Sequence, residues 1–143
     1  MLIYLDNCCY ARPYDNQDQI RIHLETLAKL EIQRMVVNRE IDLAVSGFLF
    51  YENGKKKDED IKVRIASYMD KYLSIYIEDD DPELAPLIEE IELKGIKPLD
   101  ASHLAAAIVA GCDYFITTDD RILNCDTDRL RIVNPLQFIA EVE

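Results

Sequence analysis

The stretch Asp113-Tyr114-Phe115-Ile116-Thr117-Thr118-Asp119 is a β-branched and aromatic run that ends in an acid. It reads as a buried strand whose carboxyl end delivers a carboxylate. The opening of the chain repeats the pattern: Leu2-Ile3-Tyr4-Leu5 is wholly apolar and Asp6 follows it directly. A third apolar run, Ile41–Val45, is followed by Ser46-Gly47 and, a few residues on, by Glu52. The Ala-rich segment Ala101–Ala110 predicts the best helix of the chain, opened by Asp100 and closed by Gly111. In open parallel sheets, ligands bind in the crevice outside the carboxyl ends of the strands, so Asp6, Glu52, Asp100 and Asp119 can converge although they are far apart in sequence.

Outward from these anchors the chain alternates strands and helices. The polar, Pro-containing stretch from Asn7 to Gln17 reads as a loop, and a helix is expected from about Asp18 to Asn38, capped by Asp15 or Asp18. Its apolar positions Ile20, Leu24, Leu27, Ala28 and Met35 predict a half-buried face that Glu31 interrupts. Further helices are expected over Phe48–Asn53, Asp58–Leu73 and Pro82–Lys94, with a strand over Ser74–Ile77 and an extended Lys97-Pro98-Leu99. Asp119–Leu123 reads as a helical turn, Leu130–Val133 as a last strand and Pro135–Val142 as a terminal helix. This alternation predicts one α/β domain over residues 1–143, with a central, mainly parallel sheet flanked by helices on both faces.

At 143 residues the chain can bury most of the surface of its unfolded form within one core. No apolar run approaches the roughly 20 residues of a membrane span, and Asp6 interrupts the first one, so a soluble, cytoplasmic protein without a membrane partner is expected. Cys8, Cys9, Cys112 and Cys125 form no Cys-x-x-Cys and no zinc pattern with His23 and His103, and they read as reduced structural thiols. The net charge of −12, from 28 acids and 16 bases, opposes indiscriminate nucleic-acid binding. Acids gathered around a cation are locally neutralised, however, and Lys55-Lys56-Lys57 cluster.

Taken singly, each acid has an ordinary explanation. Asp100 and Asp119 suit helix caps, Glu52 a solvated helix position and Asp6 a turn. Together they are more specific, because crowded carboxylates cannot all ionise cheaply and imply raised pKa values or a bound cation. An all-oxygen set without cysteine or a histidine pair points to a hard ion, Mg²⁺ or Mn²⁺.

At these residues the chain resembles the PIN domain family, in its VapC-like group of metal-dependent ribonucleases. The segments 3–10, 44–52, 98–107 and 113–119 are similar, in order and spacing, to the four motifs of that family, the last two most specifically. The resemblance implies Asp6, Asp100, Asp119 and Glu52 as metal ligands and catalytic residues, and Thr117 as the hydroxyl of the Thr-x-Asp segment beside them. Asn7 stands where a threonine or serine is more usual, and its amide would hydrogen-bond a water on the metal. Implied too is hydrolysis of an RNA phosphodiester by a water activated on one or two Mg²⁺ or Mn²⁺ ions, with displacement of the 3′ oxygen.

His103, three positions after Asp100, is expected to pack beside the ligands and not to act as the base, since the metal itself can generate hydroxide. Arg12, Lys55 and Lys56 are candidates for contact with the substrate backbone, though Arg12 could pair with a nearby aspartate and a charge run usually forms a solvated face. VapC-like toxins are held by an antitoxin and many form homodimers, so both partners are implied. The alternative is a PIN-like interaction module with little or no nuclease activity. Phosphatases of the haloacid-dehalogenase type are disfavoured because Asp6-Asn7-Cys8 lacks their second acid, and receiver domains because their acidic pair and late lysine are missing.

Overall fold

Ile3, Tyr4 and Leu5 are fully buried, as both faces of a central parallel strand require. They form β1 (Leu2–Leu5), which pairs on one side with β2 (Asp42–Ser46) and on the other with β4 (Tyr114–Ile116). β3 (Ile75–Ile77) and β5 (Arg131–Val133) complete the sheet in the order β3-β2-β1-β4-β5. Every pairing is parallel, so the expected mainly parallel sheet is wholly so. The computed structural model from which this follows describes residues 1–143.

The strand order reverses direction between β1 and β4. From β1 the chain steps outward to β2 and β3, then returns to add β4 and β5 on the other side. Right-handed crossovers then place α2 (Ile20–Val37) and α4 (Glu59–Tyr72) on one face and α5 (Leu84–Glu92) and α6 (Pro98–Ala110) on the other. α8 (Pro135–Val142) packs against α2, and α5 against α6. A single cluster of 29 buried apolar residues runs through the layers, which leaves no second core and hence one domain.

The segment after β1 differs from expectation. Asn7–Ala11 is a helix, α1, followed by a 3₁₀ turn over Arg12–Tyr14, where a loop was expected. The Asp6 carboxylate caps it by accepting from the Asn7 N–H at 2.8 Å, and Cys9 and Tyr10 are anchored in the core. Tertiary contacts therefore sustain a helix too short to persist alone. α6 likewise begins at Pro98 rather than Asp100. Lys97 is extended, as a residue before proline must be, and proline then takes the first helical turn. Gly111 closes α6 at φ 79°, a conformation that favours glycine.

The buried face of α2 also differs. Ile20, Leu24 and Leu27 face outward, while Glu25, Ala28, Lys29, Ile32 and Val36 face the core. Glu25 is tolerated there because Arg12 donates to it at 2.8 Å and Arg21 at 3.3 Å, so the buried carboxylate is paired.

Lys29 has no such partner. It is 4 % exposed, with its ammonium 6.0 Å from the Tyr10 ring centroid, and burial lowers its pKa from 10.5 to about 8. A Lys depressed in the folded state binds fewer protons there than in the unfolded chain between about pH 8 and 10.5, so stability from this group rises with pH across that window. Lys29→Met should therefore stabilise the protein at neutral pH by about 3–4 kcal/mol, the worth of such a shift at about 1.4 kcal/mol per unit. Urea unfolding of both proteins at pH 7 and pH 9.5 checks this: the advantage should shrink at the higher pH, and equal midpoints at pH 7 would contradict it.

Candidate metal centre

The reversal point between β1 and β4 is where an open α/β sheet leaves a crevice. Asp6 follows β1 and Asp119 lies three residues beyond β4. The register is pinned there: the Asp6 N–H donates to the Ile116 carbonyl at 2.9 Å and the Thr117 N–H to the Val133 carbonyl at 3.0 Å. Asp6 is almost fully buried. Its second oxygen accepts from the Thr117 hydroxyl at 2.8 Å, and Thr117 Oγ1 in turn accepts from the Asp119 N–H at 3.1 Å. Thr117 thus ties the ends of the two strands together.

Glu52 arrives from α3 (Gly47–Gly54), whose first turn is capped by Ser46 at the end of β2. One Glu52 oxygen accepts from the Asn7 amide at 3.0 Å and the other from His103 Nε2 at 2.7 Å. Asp6, Glu52 and His103 each present a ligand atom, and the three lie within 4.8 Å of one another. His103 rises from α6 one turn after Asp100 and is completely buried. Its Nδ1 is 2.7 Å from the Tyr4 hydroxyl, which is 2.6 Å from Ser46 Oγ. A carboxylate only accepts, so Nε2 carries the hydrogen toward Glu52. The Ser46 hydroxyl, the Tyr4 hydroxyl and His103 Nδ1 form one hydrogen-bonded chain beneath it. A relay of Ser46, Tyr4 and His103 therefore fixes Glu52 from below.

Asp100 and Asp119 stand outside that tight trio but act on it electrically. Burial raises the Asp100 carboxyl above the usual carboxylate range, and the charges of Asp6, Asp119 and Glu52 add to this against His103. Burial also raises Asp6, with Glu52 adding, while His103, the Thr117 hydroxyl and the Asn7 N–H pull the other way. Burial would raise Glu52 as well, but the hydrogen bond and charge of His103, then Asn7 and Lys56, outweigh it and leave Glu52 low. Such crowding leaves negative charge unmatched, and carboxylate oxygens beside one imidazole nitrogen, with further acids at the rim, fit a divalent cation. Asp119 caps α7 (Asp120–Leu123) through the Arg121 N–H at 2.9 Å and is half-buried. Its neighbour Asp120 is exposed and bound by Arg21 at 2.9 Å, outside the cluster.

The basic candidates are placed differently from one another. Arg12 spends its guanidinium on Glu25 and Asp15. Lys55 lies 4.3 Å over the Tyr51 ring. Lys56 is half-buried, its ammonium donating to the side-chain amide oxygen of Asn7 at 3.0 Å, and its pKa is lowered by burial against the pull of Glu52.

The roles of Tyr4 and Ser46 were hidden in the sequence, where Tyr4 reads as one more core residue of an apolar strand. The only signal was a hydroxyl in a run otherwise without polar atoms. Cys8, read as structural, borders the site: its thiol lies 3.5 Å from Asp6 and 3.4 Å from Thr117.

The sequence matches the model of the PIN domain over residues 3–127. No curated protein matches it. Among solved structures, a chain of VapBC2 from Rickettsia felis bound to a DNA fragment from their promoter aligns with a TM-score of 0.59 and 17 % identity, covering 94 % of this chain and 98 % of that one. The likeness is one of fold.

Proposed function

The chain belongs to the PIN domain family, and from that premise we propose that it is a Mg²⁺- or Mn²⁺-dependent endoribonuclease that hydrolyses RNA phosphodiester bonds. The observation that carries this reading is the meeting of Asp6, Glu52 and His103 within 4.8 Å at the reversal point of the sheet, with the acids Asp100 and Asp119 at its rim. Asp6, Asp100 and Asp119 would hold the main ion, and Glu52 a second ion or the attacking water. When bound, the ion supplies Lewis acidity toward the phosphate and a water that ionises near neutral pH. The remaining work falls to the chain's own side chains. Thr117 holds Asp6 in place, Asn7 and His103 hold Glu52 from opposite sides, and Tyr4 and Ser46 fix the His103 ring. Supporting groups of this kind orient ligands, and their removal commonly costs 10- to 100-fold in metal affinity or activity.

We also read the protein as the toxin of a toxin–antitoxin pair. An antitoxin with a basic segment would complement the net charge of −12 and the acidic crevice. The outward-facing Ile20, Leu24 and Leu27 of α2 support protein partners, an antitoxin or a second copy in a homodimer. None of the four cysteines is paired, which suits the reducing cytoplasm, and no helix is long and apolar enough to cross a membrane.

Incubation of the purified protein with a panel of RNAs tests the reading. Cleavage should require Mg²⁺ or Mn²⁺, stop in EDTA, leave 3′-hydroxyl ends and be absent in Asp119→Asn. Equal cleavage by Asp119→Asn would trace the activity to a contaminant. A folded, metal-binding protein that cuts no RNA would favour an interaction module.

A further inference from the structure

A concavity of about 650 Å³ opens beside the acid cluster between the α5–α6 connection and α7, with Asp100 in its wall. Three cations, Lys94, Lys97 and Arg121, line it together with two acids, Asp100 and Asp126. In a chain with 28 acids and 16 bases this is an uncommon gathering, and it stands at the edge of the candidate metal centre. The three are not equally committed. Lys94 donates to the Asp126 carbonyl at 2.7 Å. Lys97 is exposed, its ammonium making no hydrogen bond or ion pair, and the Arg121 guanidinium makes only a 3.6 Å approach to Asp119. By contrast, Arg12, Lys55 and Lys56 are each engaged elsewhere.

We propose that this groove holds the sugar–phosphate backbone of the single-stranded RNA substrate next to the scissile bond, with Lys97 and Arg121 as its phosphate-binding residues. The inference deepens the nuclease reading and rests on it. Phosphate is the ligand class because flexible cations in an aqueous groove meet backbone oxygens, the dominant and sequence-independent part of nucleic-acid affinity. Bases are not read here. No aromatic ring lines the groove to stack on them, and Asn124 is its only side-chain amide. Selection of a target sequence therefore falls to other surfaces. With a cation among the acids, the repulsion between Asp100 and an incoming phosphate falls away, and Arg121 can turn from Asp119 to the strand.

The test is fluorescence anisotropy with short labelled RNAs of unrelated sequences, in Ca²⁺ and over a range of KCl concentrations. The wild type is compared with Lys97→Ala, Arg121→Ala, the double variant and Lys71→Ala, whose ammonium lies over Tyr72 on α4. Each groove variant should weaken binding about 3- to 10-fold at low salt and flatten the slope of log affinity against log salt by about 0.7, equally for every sequence. Lys71→Ala should bind as the wild type does. A double variant with wild-type affinity and slope would overturn the groove while leaving the nuclease reading intact. A loss confined to one sequence would overturn backbone recognition. A wild type that binds none of the RNAs would overturn the nuclease reading and the groove together.

Discussion

Asp100→Asn is expected to lose RNA cleavage by about 10²- to 10⁴-fold, roughly 3–5 kcal/mol of transition-state stabilisation, while the metal-free protein becomes slightly more stable. Both effects come from one charge. Asp100 is half-buried in the repulsive field of Asp6, Asp119 and Glu52, so its ionised form is disfavoured in the fold. The amide is nearly isosteric and removes that repulsion, a gain of at most about 1 kcal/mol for a group this exposed. It removes an anionic oxygen at the same time. A site in which a substitution stabilises the fold while ending activity has been shaped for chemistry rather than stability. Cleavage rates and thermal melting in EDTA measure the pair of effects. Wild-type cleavage by Asp100→Asn would exclude the residue from the site, and a lower melting temperature in EDTA would contradict the repulsion.

His103→Ala is expected to destabilise the protein by about 3–4 kcal/mol, as the loss of a buried ring and of a hydrogen bond to a charged partner together imply. The imidazole is completely enclosed, set edge-on to Tyr4 and Phe48, and bridges the Tyr4 hydroxyl to Glu52 at 2.7 Å on each side. Removal leaves a cavity beneath the crevice and frees Glu52 to swing. Affinity for Mn²⁺ should then fall about 10- to 100-fold even where the variant is folded. His103→Gln, whose amide can still donate to Glu52, should recover part of that affinity. Urea unfolding reads the stability, and an unchanged midpoint would mean the relay carries no load. Stability lost with metal affinity unchanged would reduce His103 to packing.

The parts of this fold legible in the sequence are those in which a residue's environment is set locally. Leu2–Leu5 and Tyr114–Ile116 are apolar throughout because central parallel strands are buried on both faces, and the acids that follow them mark the crevice. α6 was legible from its alanines and from Gly111.

What escaped the sequence depends on partners distant along the chain. α1 is held by the Asp6 cap and by core contacts of Cys9 and Tyr10, none of which a five-residue window reveals. The face of α2 was misread because Glu25 and Lys29 look like solvent residues. Only Arg12 and Arg21 make the burial of Glu25 tolerable, and the exposure of Ile20, Leu24 and Leu27 answers to surfaces beyond this chain's own core. In the candidate site, the sequence already pointed to four acids and to Asn7, Thr117 and His103, and the fold places Asp6, Glu52 and His103 within 4.8 Å of one another. The link from Ser46 through Tyr4 to His103 could not be read there, since it joins residues 42 and 99 positions apart. Lys97 and Arg121 escaped for the same reason, as isolated bases in an acidic chain that only the fold brings to one groove.

The most direct measurement is calorimetric titration of Mn²⁺ into the wild-type protein and into Asp119→Asn, with circular dichroism to establish that both are folded. Asn caps a helix about as well as Asp, so α7 should survive the substitution. Saturable Mn²⁺ binding to the wild type is expected, and it should be lost or greatly weakened in a folded Asp119→Asn. A wild type that takes up no Mn²⁺ or Mg²⁺ even at millimolar concentrations, or a variant that binds as tightly as the wild type, would contradict the metal centre at the carboxyl ends of β1 and β4.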